Sequence, residues 1–241
     1  MPKLDGDSMV MNTGSFQFSG VRPEMLGATE YTLVTLILDI SGSVDAYKKD
    51  LVNMAKAVVQ ACKKSPRAEN LLLRRVDFSN DVNEFHGFKP LSLIDENTYD
   101  NFNCGGMTAL FDATYSSVAA TLKYGKTLID QDFSVNGICF IITDGEDNNS
   151  NVTPLQVKNQ MGIAIQGEDI ESLLTILIGV NDNSYKSYLE TFKDEANLSQ
   201  YVSVGDATAQ KLAKLAAFVS KSISSQSQSL GSGGASQLLT F

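Results

Sequence analysis

The sequence predicts an α/β domain with an open, mostly parallel central sheet, helices on both faces and one short antiparallel edge strand. Three observations predict it. The runs YTLVTLILD, GICFIITDG and LLTILIGV are continuously apolar and rich in β-branched residues, which marks strands buried on both faces. Between them lie stretches whose apolar residues recur every three or four positions, the period of an amphipathic helix. Strand and helix alternate along the chain, so right-handed crossovers should connect neighbouring strands.

Each element follows from its local pattern. Residues 1–28 show no sustained period and read as an N-terminal extension, with a short strand near FQFSG. YTLVTLILD, residues 31–39, is the first buried strand. From Val44 the period changes: Leu51, Met54, Ala55, Val58, Val59 and Cys62 form one helix face, Ser43 is placed to cap it, and Pro66 closes it. NLLLRRVDFSN is a second strand and VNEFHGF a shorter one at an edge. LSLIDENTYDNF connects to a helix over TALFDATYSSVAATLKYGKTL. GICFIITDG follows, then a helix with Pro154 at its first position. LLTILIGV, YKSYLETFKDEAN, a brief YVSV and AQKLAKLAAFVSKSI complete the alternation. The Ser/Gly/Gln-rich end, residues 225–241, has too little apolar surface to order itself and reads as a flexible tail.

Composition narrows the function. A net charge of −9 disfavours sequence-independent attraction to nucleic acid and to anionic membrane surfaces. The three cysteines, Cys62, Cys104 and Cys139, have neither zinc spacing nor a disulfide pattern, which suits a reducing compartment. The opening residues MPKLDGDSMVMN lack the basic start and apolar core of a signal peptide. No apolar run approaches the roughly 20 residues that cross a bilayer. A cytoplasmic protein is the expectation.

Three strand ends carry the chemistry. In open parallel sheets, ligands bind beyond the carboxyl ends of the strands. There LILDISGSVD presents Asp39, Ser41 and Ser43, FNCGGMTAL presents Thr108, and IITDGEDN presents Asp144. Each has an ordinary reading: an Asp–Ser turn, a helix cap, an Asp–Gly turn. Their order along the chain, each at a strand end or helix start, argues instead for one site. Two carboxylates and three hydroxyls, with no cysteine or histidine, suit a hard cation, Mg²⁺ first and Mn²⁺ or Ca²⁺ as alternatives. One coordination position could accept a carboxylate from outside.

Other chemistries fit less well. A phosphohydrolase using Asp39 as nucleophile is the alternative, but the general-acid position two residues on is Ser41. His86, in EFHGF, reads as a structural or surface histidine. DFSVNG opens like a calcium loop, yet its twelfth position is Thr143 rather than glutamate. The first strand–helix turn lacks the glycines of a dinucleotide site. The expectation is a protein without catalytic activity.

These residues resemble the von Willebrand factor type A domain, also called the integrin inserted domain. Its metal-ion-dependent adhesion site is DxSxS, then a Thr after a Gly-rich turn, then an Asp usually followed by Gly. Here these are D39-I-S41-G-S43, G105-G106-M107-T108 and T143-D144-G145. The resemblance covers residues 29–224 and implies a Rossmann-like fold. It implies that Ser41, Ser43 and Thr108 ligate the metal and that Asp39 and Asp144 contact it directly or through water. The open position would take a Glu or Asp of a partner protein. Asp112 and Glu146 would be supporting or solvated carboxylates. The missing disulfides and signal are similar to stand-alone bacterial or phage intracellular members, which partner AAA-type ATPases, kinases and stress-response systems.

Overall fold

The computed structural model describes residues 7–14, 16–166 and 169–241. Eight strands form one sheet: β1 (Ser8–Thr13), β2 (Phe16–Val21), β3 (Glu30–Asp39), β4 (Leu71–Phe78), β5 (Val82–Pro90), β6 (Ser134–Thr143), β7 (Leu173–Val180) and β8 (Gln200–Gly205). Five helices accompany them: α1 (Lys48–Lys63), α2 (Leu110–Ile129), α3 (Pro154–Gln166), α4 (Lys186–Glu195) and α5 (Ala209–Ser232). The strand order is β1-β2-β5-β4-β3-β6-β7-β8.

The sheet is mixed, which corrects the expected open, mostly parallel sheet with one antiparallel edge strand. From β4 through β3, β6, β7 and β8 the pairing is parallel. β5 runs antiparallel to β4, but it is an interior strand. Beyond it, β2 pairs parallel to β5 and β1 pairs antiparallel to β2. The N-terminal hairpin is therefore part of the sheet.

The short strand expected near FQFSG is β2; its partner β1 and its docking onto β5 are not legible in the sequence, because long-range polar contacts recruit the hairpin. Glu84 of β5 accepts hydrogen bonds from the backbone N–H (2.9 Å) and hydroxyl (2.6 Å) of Ser19, and pairs with Arg74 of β4 at 2.7 Å. One carboxylate thus ties three strands together. Tyr124 of α2 donates to the Val21 carbonyl at 2.7 Å and stacks on Phe88. The seam is tight at Gly87, where an added Cβ would overlap the Ser19 backbone. Overpacking of this kind costs about 1–3 kcal/mol. Gly87→Ala should therefore lower stability by that amount in urea unfolding and make the β1–β2 hairpin the first site of limited proteolysis. An unchanged digestion pattern would show that the seam relaxes without releasing the hairpin.

The central strand β3 explains the continuous apolar signal. Val34, Leu36 and Leu38 pack under α1 and α5, while Tyr31, Leu33 and Ile37 face the opposite layer, which holds α2, α3 and α4. Every residue from Tyr31 to Asp39 is buried. Such burial, at about 25 cal/mol per Å² of apolar surface, is the main force holding the two helical layers to the sheet.

The expected flexible tail, residues 225–241, is also corrected. α5 runs on to Ser232 and ends in the left-handed Gly233. Gln226 is fully buried and donates to the Gly137 carbonyl (3.1 Å) and the Ser172 hydroxyl (3.0 Å). Beyond the helix, Gln200 donates to the Leu239 carbonyl and Phe241 sets its ring edge-on to Phe218. Serine and glutamine read as disorder by composition, but on the inner face of α5 Gln226 bonds to β6 and the segment before β7, and Ser227 accepts from Arg67 at 2.8 Å. The described residues of the N-terminal extension and the tail are thus built onto the 29–224 unit.

Candidate metal-binding site

Asp39 is the last residue of β3 and Thr143 the last of β6, its neighbour in the sheet. The Thr143 hydroxyl donates to Asp39 Oδ2 at 2.6 Å, and the Ser41 backbone N–H donates to Oδ1 at 2.8 Å. Asp39 is only 1% exposed. Burial is the main influence on its carboxyl, opposed by these hydrogen bonds, and pushes its pKa up to about 6.

The chain then turns back through a 3-10 turn over Gly42–Tyr47 before α1 begins at Lys48. Ser43 does not cap that helix. Its hydroxyl donates to Asp144 Oδ1 at 2.9 Å and lies 3.2 Å from the Ser41 hydroxyl. Three of the five expected oxygens thus form one string, Ser41–Ser43–Asp144, beside the Asp39 carboxylate.

The Gly-rich loop before Thr108 is held by a backbone clip. Gly105 N–H donates to the Ile40 carbonyl (2.9 Å) and Gly42 N–H to the Gly106 carbonyl (3.3 Å), so the Gly-rich loop lies against the Asp39–Ser43 turn. Gly106 has φ +83°, the left-handed region that favours glycine. Thr108 is buried, two residues before α2.

The surrounding loop serves the helix rather than the cup. Asp147 accepts from the Phe111 N–H and Ser150 from the Asp112 N–H, satisfying two first-turn donors of α2. Asp112 in return accepts from the backbone N–H groups of Asn151 and Val152. That fixes Asp112 as a loop anchor, and Glu146 is exposed. His86 lies elsewhere, against Tyr99 in a buried cluster. Burial holds its pKa down to about 3, so it stays neutral.

The donor set fits a small hard cation. Among the described residues no group of three or more His, Cys, Asp or Glu side chains is placed to hold a metal, so a cation here needs the hydroxyls as well as the two carboxylates. Mg²⁺ binds oxygens at about 2.0–2.1 Å in an octahedron, whose adjacent oxygens are then about 3 Å apart. The Ser43–Asp144 and Ser41–Ser43 separations, 2.9 and 3.2 Å, match that edge. Among the described residues neither Asp39 nor Asp144 forms a salt bridge with a cationic side chain.

No protein-family model matches the sequence, and no curated protein matches it. Solved structures match in fold. The D319A mutant of the PilB minor pilin from Streptococcus sanguinis gives a TM-score of 0.62 at 13% identity, covering 93% of this chain and 68% of that one. The pilus adhesin SpaC from Lactobacillus rhamnosus GG, in its open conformation, gives 0.58 at 10% identity over 91% of this chain and 34% of that one. Proximal thread matrix protein 1 from the mussel byssus, described with a zinc-occupied MIDAS motif, gives 0.53 at 18% identity over 80% of this chain and 46% of that one. The likeness is one of fold. The chain spans less than half the length of two of these proteins.

These findings correct the family drawn from the motif. These similar folds are two pilus proteins and a byssus matrix protein, and no family model supports membership of the von Willebrand factor type A family with a complete adhesion site. The physical reason is that five residues at loop ends constrain the loops and say little about the sheet beneath them. Asn80 and Asn148, which hold the Gly-rich loop, were not anticipated either; in the sequence they sit in ordinary turn-forming runs. No helix among the described residues is long and apolar enough to cross a membrane.

Proposed function

We propose that Asp39, Ser41, Ser43, Thr108 and Asp144 bind a divalent cation, Mg²⁺ by hardness and size, and that the cation captures a Glu or Asp side chain of a protein partner. The reading rests on one observation above the others. Two buried carboxylates converge on two serine hydroxyls at octahedral-edge spacing with no cationic side chain paired to them. Buried charge of one sign is costly unless paired or coordinated to a metal. Bound there, the ion would supply positive charge and an open coordination position. The protein's own residues set the orientation: Thr143 and the Ser41 N–H hold Asp39, and Ser43 holds Asp144.

No catalytic role is proposed. Asp39 is buried, and the position two residues on, where a phosphohydrolase of this kind carries its general acid, is Ser41. A cytoplasmic setting goes with the three free thiols of Cys62, Cys104 and Cys139.

The test is a Mn²⁺ titration followed by the paramagnetic signal of the free ion. The expected result is one ion per chain, displaced by Mg²⁺, with affinity at least about tenfold weaker in Ser43→Ala and Thr108→Ala. Partner capture should then require Mg²⁺ and fail in chelator. Wild-type protein that takes up no Mn²⁺, or variants that bind it as wild type does, would sink the reading.

A further inference from the structure

Thr108 is the only one of the five oxygens carried by a loop with no strand behind it, so something else must hold it. Its backbone N–H donates to Asn148 Oδ1 at 2.8 Å, and the Asn148 N–H donates back to the Thr108 carbonyl at 3.0 Å. One residue earlier, the Met107 N–H donates to Asn80 Oδ1 at 2.7 Å. Two consecutive amides are thus held by side chains from two different loops. Asn80 follows β4 and Asn148 lies four residues beyond Asp144. Asn149 completes the link by donating its side-chain amide to the Asn80 carbonyl at 2.7 Å. The glycine before Met107 is part of the fit, since a Cβ on Gly106 would come 2.8 Å from Asn80 Oδ1.

We infer that Asn148, assisted by Asn80, is a positioning residue for the metal cup: it fixes Thr108 relative to Asp144 so that both face the same ion. This rests on the metal reading proposed above. The ring of two hydrogen bonds between Thr108 and Asn148 makes the Thr108 loop and the Asp144 loop one body. Neither asparagine touches the cup through its own side chain in the hydrogen bonds described, so each acts through the loop it holds. Partners that orient metal ligands typically contribute about 10–100-fold in metal affinity. Both asparagines are exposed, so truncating them opens no core cavity.

The experiment compares wild type, Asn148→Ala and Asn148→Asp in two measurements: Mn²⁺ affinity, and exchange of the Thr108 amide hydrogen in EDTA. Asn148→Ala should weaken Mn²⁺ by about 10–100-fold and speed Thr108 amide exchange, with the thermal midpoint in EDTA nearly unchanged. Asn148→Asp keeps an acceptor oxygen for the Thr108 N–H and should restore the slow exchange. Wild-type protein that binds no Mn²⁺ would defeat the metal reading and the positioning role with it. Wild-type binding that Asn148→Ala leaves intact, or Thr108 exchange that the variant does not change, would overturn the positioning role alone.

Discussion

Asp39→Asn should stabilise the protein in EDTA at neutral pH while abolishing its response to Mg²⁺. The two effects have opposite signs because burial raises the Asp39 pKa from 3.8 to about 6 in the folded chain. Between those values the folded state holds a proton that the unfolded state has lost. Stability without metal is therefore full below about pH 4 and falls as pH rises through about 6. At about 1.4 kcal/mol per pKa unit, the ionised carboxylate costs the metal-free fold up to about 3 kcal/mol at pH 7. Asparagine removes that cost and keeps an oxygen for the Ser41 N–H. It also removes half of the negative charge that would hold the ion. Chemical unfolding from pH 4 to 8, with Mg²⁺ and with EDTA, should show a wild-type decline in EDTA that Mg²⁺ reverses and the variant lacks. An Asp39→Asn protein less stable than wild type in EDTA at pH 7.5 would mean that hydrogen bonding, not charge burial, dominates at this position.

Arg75→Ala should be the most damaging single change away from the cup. Arg75 is fully buried in β4 and donates to both carboxylate oxygens of Asp77, at 2.8 and 3.0 Å, and to the Tyr99 carbonyl at 2.7 Å. Its guanidinium lies over the rings of Phe85, Tyr99 and Phe102, at 4.1, 4.7 and 5.1 Å from their centres. Removing it strands Asp77, whose carboxyl burial already pushes upward in pKa. Breaking a buried pair in this way costs about 3–5 kcal/mol. Urea unfolding measures it directly. Arg75→Ala combined with Asp77→Ala should recover part of the loss, because no unpaired charge then remains. A double variant less stable than the single would place the energy in the aromatic box instead.

What the sequence made legible follows from how local each cause is. The three long buried strands β3, β6 and β7 were readable because double-sided burial needs an unbroken apolar run. The meeting of Asp39, Ser41, Ser43 and Asp144 was readable because parallel strands bring their carboxyl ends to one edge. Of the hairpin, the β2 strand at FQFSG was readable but its place in the sheet was not, since β2 meets β5 at a single bridged pair, Gly20 with Phe88, and is held by Glu84 and Tyr124 from far along the chain. The helical continuation past residue 225 was hidden for a related reason. Its inward polar residues include Gln226 and Ser227, whose partners lie on distant elements. The clamp on Thr108 was invisible because an Asn–Asn pair in a turn has the same spelling whether it holds a neighbouring loop or only water.

The bond between Thr143 and Asp39 spans 104 residues and that between Ser43 and Asp144 spans 101. During synthesis, the chain up to the end of α2 therefore carries one of the two carboxylates and, of the contacts that aim them, only the local Ser41 N–H bond to Asp39. The ion cannot template the early chain; it can only meet a sheet whose β3 and β6 have already joined. Contacts of such sequence separation form late and slowly. Metal capture as proposed would thus be a check on completed folding: an intermediate stalled before Ser134 lacks Thr143 and Asp144, and only a chain that has closed its central strands would offer the proposed cup to an ion or a partner.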